Sequence, residues 1–152
     1  MVELDVMNKL EKAYRETTYS IFIDEEKVEI NIGKVIPSVI NELLGKEKEK
    51  SAIILTAWNP RSKALSIEIN KEQNNNLHAN LINNKHTFVK ALGQGLDTSW
   101  AAEESFFIVG VTEQTAEQLA VEYDQYAYVW CEYGKQASLR FTQLWSSMTN
   151  DS

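Results

Sequence analysis

Hydrophobic positions change period several times along the chain, and the changes divide it into elements. Leu4, Met7, Leu10 and Tyr14 recur at helical spacing and predict an amphipathic helix over residues 3–16. Strict alternation follows in Tyr19, Ile21 and Ile23 and again in Val28, Ile30 and Ile32, with Asp24-Glu25-Glu26 between them. That pattern predicts a β-hairpin with one apolar face. Pro37 suits the first turn of a helix whose Val39, Ile40, Leu43 and Leu44 share a face, and Gly45 is expected to close it in the left-handed conformation. Ala52-Ile53-Ile54-Leu55 is apolar without alternation, which predicts a central strand over 52–58 buried on both faces. Pro60 cannot continue a strand ladder, so the chain must leave the sheet there.

Ser66 is suited to cap a helix running to about Asn83, with Leu77 and Leu81 as its buried stripe. Asn70, Asn74, Asn75, Asn76, Asn80, Asn83 and Asn84 are poor helix formers in that segment. Residues 87–92 and 105–111 read as strands separated by a loop over 93–104. Thr112 caps a further helix that aligns Ala116, Leu119, Ala120 and Tyr123, and residues 126–133 and 136–142 form a hairpin about Gly134-Lys135. The tail 149–152 is expected to fray. These elements predict one domain over residues 1–152, with its core at about 17–143. The fold class is α+β or α/β, a mixed sheet of about six strands with three main helices packed on it. Strands 52–58 and 87–92, joined by the asparagine-rich helix, suit a right-handed parallel crossover.

Composition narrows the function classes. A chain of 152 residues with 43% hydrophobic and 24% charged residues is a globular domain, not a disordered one. Its net charge of −7 repels phosphate backbones, and the densest lysine run, Lys46, Lys48 and Lys50, is interleaved with Glu47 and Glu49. Nucleic acid is therefore not an expected partner. Cys131 is the one cysteine, so no internal disulfide can form, and its apolar neighbours predict a buried, inert thiol. The N-terminus lacks the pattern of a signal peptide and no apolar run approaches the ~18 residues of a membrane span, so a cytoplasmic location is expected. His78 and His86 have no metal-ligand spacing with other residues, and neither a metal nor a cofactor is expected.

Candidate chemistry gathers around the end of strand 52–58. Stepping back from Leu81 and Leu77 at helical spacing places Asn74 and Asn70 on the same inward stripe. A buried amide without partners costs about 1–3 kcal/mol, so either the protein or a ligand must satisfy these two. They can brace the loop around residues 59–65, or line a polar pocket together with Asn59, Arg61 and Ser62. Ligands of open α/β sheets sit beyond strand ends, and a helix N-terminus and an arginine both suit an anion. Trp100 is placed either to stack on a planar ligand or to cover the core. Adjacent Glu103 and Glu104 on an extended chain point to opposite faces, so one at most can serve such a site. Glu104 is taken as the candidate general base, its alternative being a solvated or capping carboxylate. Gln125, at the head of a strand, can bond a ligand or close a helix end. The functional expectation is a site for a small polar molecule, anionic or nucleotide-like, at the end of strand 52–58. The alternative is an interaction or regulatory module whose Asn, Gln and Glu residues are braces.

The string Thr56-Ala57-Trp58-Asn59-Pro60-Arg61-Ser62 is similar to a Thr-Ala-aromatic-Asn-Pro-x-Ser motif of a bacterial family of unknown function, DUF3293. The resemblance continues in order through Asn70, Asn74 and Leu77, then Trp100 and Glu104-Ser105-Phe106, then Gln125 and Ala127, covering roughly residues 50–140. The family often carries an arginine near the second asparagine, where this chain has Gln73 and Asn75. The resemblance implies a small bacterial protein and no particular activity.

Overall fold

A computed structural model describes residues 4–97, 99 and 101–150, leaving aside the side chains of 149 and 150. The chain runs α1 (Leu4–Arg15), β1 (Thr18–Ile23), β2 (Glu26–Asn31), α2 (Ser38–Gly45) and β3 (Ser51–Thr56). After a 3-10 turn over Pro60–Ser62 it continues through α3 (Ile67–Asn83), β4 (Thr87–Gln94) and β5 (Glu103–Val109). It ends with α4 (Glu113–Glu122), β6 (Ala127–Glu132), β7 (Ser138–Phe141) and α5 (Gln143–Asn150). The strands form one sheet in the order β2-β1-β4-β5-β3-β6-β7, and every pairing is antiparallel.

The expected mixed sheet is thereby corrected. β3 and β4 do run in the same direction, but β5 lies between them and pairs antiparallel with both, so no parallel ladder forms. The physical reason lies in β5, whose Ser105–Val109 are all buried and which therefore takes the central place. The counts also exceed expectation, at seven strands and five α-helices among the described residues. The additional helix α5 forms because Met148 is buried and Trp145 stacks on Phe141 of β7 at 4.4 Å. It reaches into the segment expected to fray, and residues 151–152 lie outside the described residues. Gly45 is corrected too. It is the last residue of α2 and not left-handed, while a Cβ there would come within 2.9 Å of the Tyr133 ring. Its value is the room it leaves for that ring.

Two cores lie on opposite faces of the sheet, as the unalternating apolar run of β3 requires. Ala52 and Ile54 join Ile21, Ile30, Phe107 and Val129 beneath Ile40 and Leu44 of α2. Ile53 and Leu55 join Phe106, Ile108 and Trp130 beneath Leu77 and Leu81 of α3 and Leu119 of α4. The sheet curls until the segments beyond its edge strands meet, Gly33 N donating to Ala137 O at 2.8 Å and Ala137 N to Lys34 O at 3.1 Å. The second core takes no residue from β1 or β2, so the sheet surface beside α3 is left uncovered there.

Candidate functional site

The site begins where β3 stops. Thr56 Oγ1 accepts from Trp58 N at 3.0 Å and donates to Glu104 O at 2.7 Å, which turns the chain out of the ladder. Asn59, Arg61 and Ser62 then adopt left-handed backbone angles, with φ of 45°, 54° and 58°. Such a conformation strains non-glycine residues, asparagine least, and persists only where neighbours hold it.

A closed set of hydrogen bonds does so. Asn59 N donates to Asn70 Oδ1 at 2.8 Å, and Asn70 Nδ2 donates back to Asn59 Oδ1 at 2.8 Å. The same Asn59 oxygen accepts from Leu65 N at 3.1 Å, and Asn59 Nδ2 donates to Glu103 Oε1 at 3.2 Å. Asn70 Nδ2 also reaches Leu65 O at 3.4 Å. Gln125 Nε2 donates to Trp58 O and to Tyr123 O, both at 3.1 Å. Arg61 N donates to Asp124 O at 2.7 Å and its exposed guanidinium lies 3.3 Å from Asp124 Oδ1, while Ser62 Oγ and Tyr14 OH share a bond of 2.6 Å. Asn59, Arg61, Ser62, Asn70 and Gln125 thus belong to one knot in which both Asn70 amide atoms are already engaged.

Glu103, not Glu104, reaches this knot. Burial pushes the Glu103 carboxyl above its ordinary value, and the bond from Asn59 partly offsets that. Burial also raises the nearby Tyr14 phenol to about 12, with a further push from Glu103, and raises Tyr19 for the same two reasons. Glu103 alternates with Ser105, Phe107 and Val109, which puts it on the side of the first core, opposite Glu104. Trp58 is buried, and among the described residues its indole nitrogen has no hydrogen-bond partner.

Asn74 and Glu104 lie elsewhere, on the uncovered sheet surface beside α3. There a hollow of about 440 Å³ is bordered by Phe22, Asn74, His78, Lys90, Glu104 and Phe106. Asn74 Oδ1 accepts from Ala57 N at 3.3 Å, and among the described residues its Nδ2 has no hydrogen-bond partner. Glu104 Oε1 stands 3.9 Å from Lys71 Nζ, with both side chains about half exposed. The His78 ring stacks on Phe106 at 5.6 Å and meets Phe88 edge-on at 5.4 Å. Among the described residues Lys90 has no carboxylate within 4.0 Å. His78 and Lys90 were missed by motif reasoning, because β4 and α3 meet only in the fold. Trp100 lies outside the described residues.

Cys131 is buried and its thiol is pushed up to about 12 by that burial. Among the described residues no helix is long and apolar enough to cross a membrane. No curated protein and no solved structure gives a significant match to the chain. Residues 55–128, from β3 to the start of β6, match the family model described as a protein of unknown function, DUF3293. Over that stretch, which holds both the knot and most of the hollow, the chain is similar to the DUF3293 family.

Proposed function

We propose that this protein binds a small polar molecule in the hollow between α3 and the β1–β4–β5 surface. The observation that carries the reading is the convergence there of Asn74 and Glu104 with Lys90 and the His78–Phe106 stack, around about 440 Å³ of open space. Small-molecule sites commonly span about 300–1,000 Å³ and combine an apolar floor with a few placed polar groups. The Asn74 amide nitrogen and the Lys90 ammonium, which have no hydrogen-bond or carboxylate partner among the described residues, are the donors such a ligand would engage. Asn59, Asn70 and Gln125 support the site from beneath, because Asn70 and Asn74 lie one helical turn apart on α3.

A nuclear magnetic resonance titration of the labelled protein against nucleotides, sugars and organic acids tests this. At least one class is expected to shift the amides of Asn74, His78 and Lys90, and Asn74→Ala is expected to weaken its binding. Shifts confined to other regions, or none with any class, would overturn the reading. The interaction-module alternative draws support from a different observation, the complete engagement of Asn70 within the protein. It then requires Asn74 and Lys90 variants to leave small-molecule titrations unchanged.

A further inference from the structure

We infer that the ligand of this hollow is a planar aromatic monocarboxylate, its ring held among Phe22, His78 and Phe106 and its carboxylate on Lys90. The inference rests on the binding reading above and names the ligand class. Strand register carries it. β1 and β4 pair Ile21 with Ala91, so one step further along Phe22 stands opposite Lys90, and β5 pairs Phe106 with Lys90 on the other side. One ammonium is thus flanked across two strands by two aromatic rings. Phe22 is 39% exposed, an open apolar surface at the hollow's edge, and the stacked pair of His78 and Phe106 lies on the other side. Three rings bordering one small space favour a flat partner.

Charge sets the second half of the ligand. The chain as a whole carries −7, yet among the described residues the charged groups bordering this hollow are Lys90 and Glu104, and Lys71, outside that border, stands 3.9 Å from Glu104. Lys71 is taken up by Glu104, which leaves Lys90 with one uncompensated positive charge. That suits a monoanion. A polyphosphate would call for more cations and, commonly, an arginine fork or a glycine-rich cradle, none of which borders the hollow among the described residues. The amide nitrogen of Asn74, without a hydrogen-bond partner among the described residues, offers the carboxylate a second donor.

The test is titration of the whole labelled chain with benzoate, benzamide, acetate and adenosine monophosphate. Benzoate is expected to shift the amides around Lys90, His78 and Phe106 and to bind about tenfold more tightly than benzamide or acetate, the effect of one charge-assisted contact. Lys90→Met is expected to remove that preference by weakening benzoate far more than benzamide, and Phe22→Ala to weaken both ring compounds. Lys90→Gln serves if the methionine variant is unstable. Equal binding of benzoate and benzamide, tighter binding of acetate or the nucleotide, or a Lys90 variant with unchanged benzoate affinity overturns the ligand class while leaving a hollow that binds. If neither these four compounds nor the wider panel shifts the hollow's amides, the binding reading fails with it.

Discussion

The two sides of one strand end have been given opposite chemistry. On one, Asn59 bonds Asn70 and Glu103 from backbone held at positive φ, and Gln125 donates to the Trp58 and Tyr123 carbonyls. On the other, Asn74, Lys90 and Glu104 border open space with capacity to spare. Both sides draw on the same helix, and successive inward asparagines of α3 serve one each. The difference teaches that an asparagine on a buried stripe is not by itself a ligand signal. What distinguishes Asn70 from Asn74 is whether the strand-end loop arrives with enough backbone groups to consume the amide.

The largest expected effect separates the two sides directly. Asn70→Ala strands the Asn59 amide and the Leu65 carbonyl, and should cost about 2–4 kcal/mol in urea unfolding, three lost half-buried bonds with their desolvation. A loss below about 1 kcal/mol would mean that the left-handed turn holds itself and the knot is incidental. Gln125→Leu should cost less, about 1–2 kcal/mol, since it leaves the Trp58 and Tyr123 carbonyls unpaired but disturbs no strained residue.

Glu103→Gln sharpens the comparison through pH. The folded protein holds the Glu103 proton more tightly than the unfolded chain, whose value is the ordinary 4.5. Stability from this group is therefore complete below about pH 4.5 and lost as pH rises through the elevated value. Glutamine keeps the acceptor for Asn59 Nδ2 and cannot ionise, so the variant should melt higher than wild type at neutral pH and match it near pH 4. A melting difference constant across that range would show that burial of the charge carries no cost. The smallest stability effects belong to the hollow. Asn74→Ala should cost about 1 kcal/mol, since its single 3.3 Å bond is long but leaves the buried Ala57 amide unpaired, and Lys90→Met within about 0.5 kcal/mol, while both lower ligand affinity. A stability loss from Asn74→Ala as large as that from Asn70→Ala would erase the distinction between the two sides.

Much of this was legible without coordinates. Periodicity alone located α3 and its cap, since Ser66 Oγ does accept from Ile69 N, and it assigned Leu77 and Leu81 to the core. The alternation of β1 and β2 correctly placed Ile21 and Ile30 on one apolar face. The unalternating run of β3 announced burial on both sides, and both cores contain it. The site was half legible. The string from Thr56 to Ser62 marked the place where the chain leaves the sheet, and helical spacing brought Asn70 and Asn74 toward it. The choice of Glu104 over Glu103 could not be settled from spacing, because alternation separates adjacent carboxylates without saying which face the loop will meet.

The sequence by itself determined which residues turn inward and where elements begin and end, because those depend on local periodicity, caps and breakers within a few residues. It determined that a proline-bearing turn must follow β3 and that its neighbours would include carboxamides. Only the tertiary structure decided that β5 separates β3 from β4, which makes the sheet antiparallel throughout, since strand order depends on pairings between segments far apart in the chain. Only it decided that Phe22 of β1, Lys90 of β4 and His78 of α3 share one hollow, because their meeting depends on sheet register and on the limited reach of α3 across the sheet. The same contingency closed one side of the strand end and left the other open.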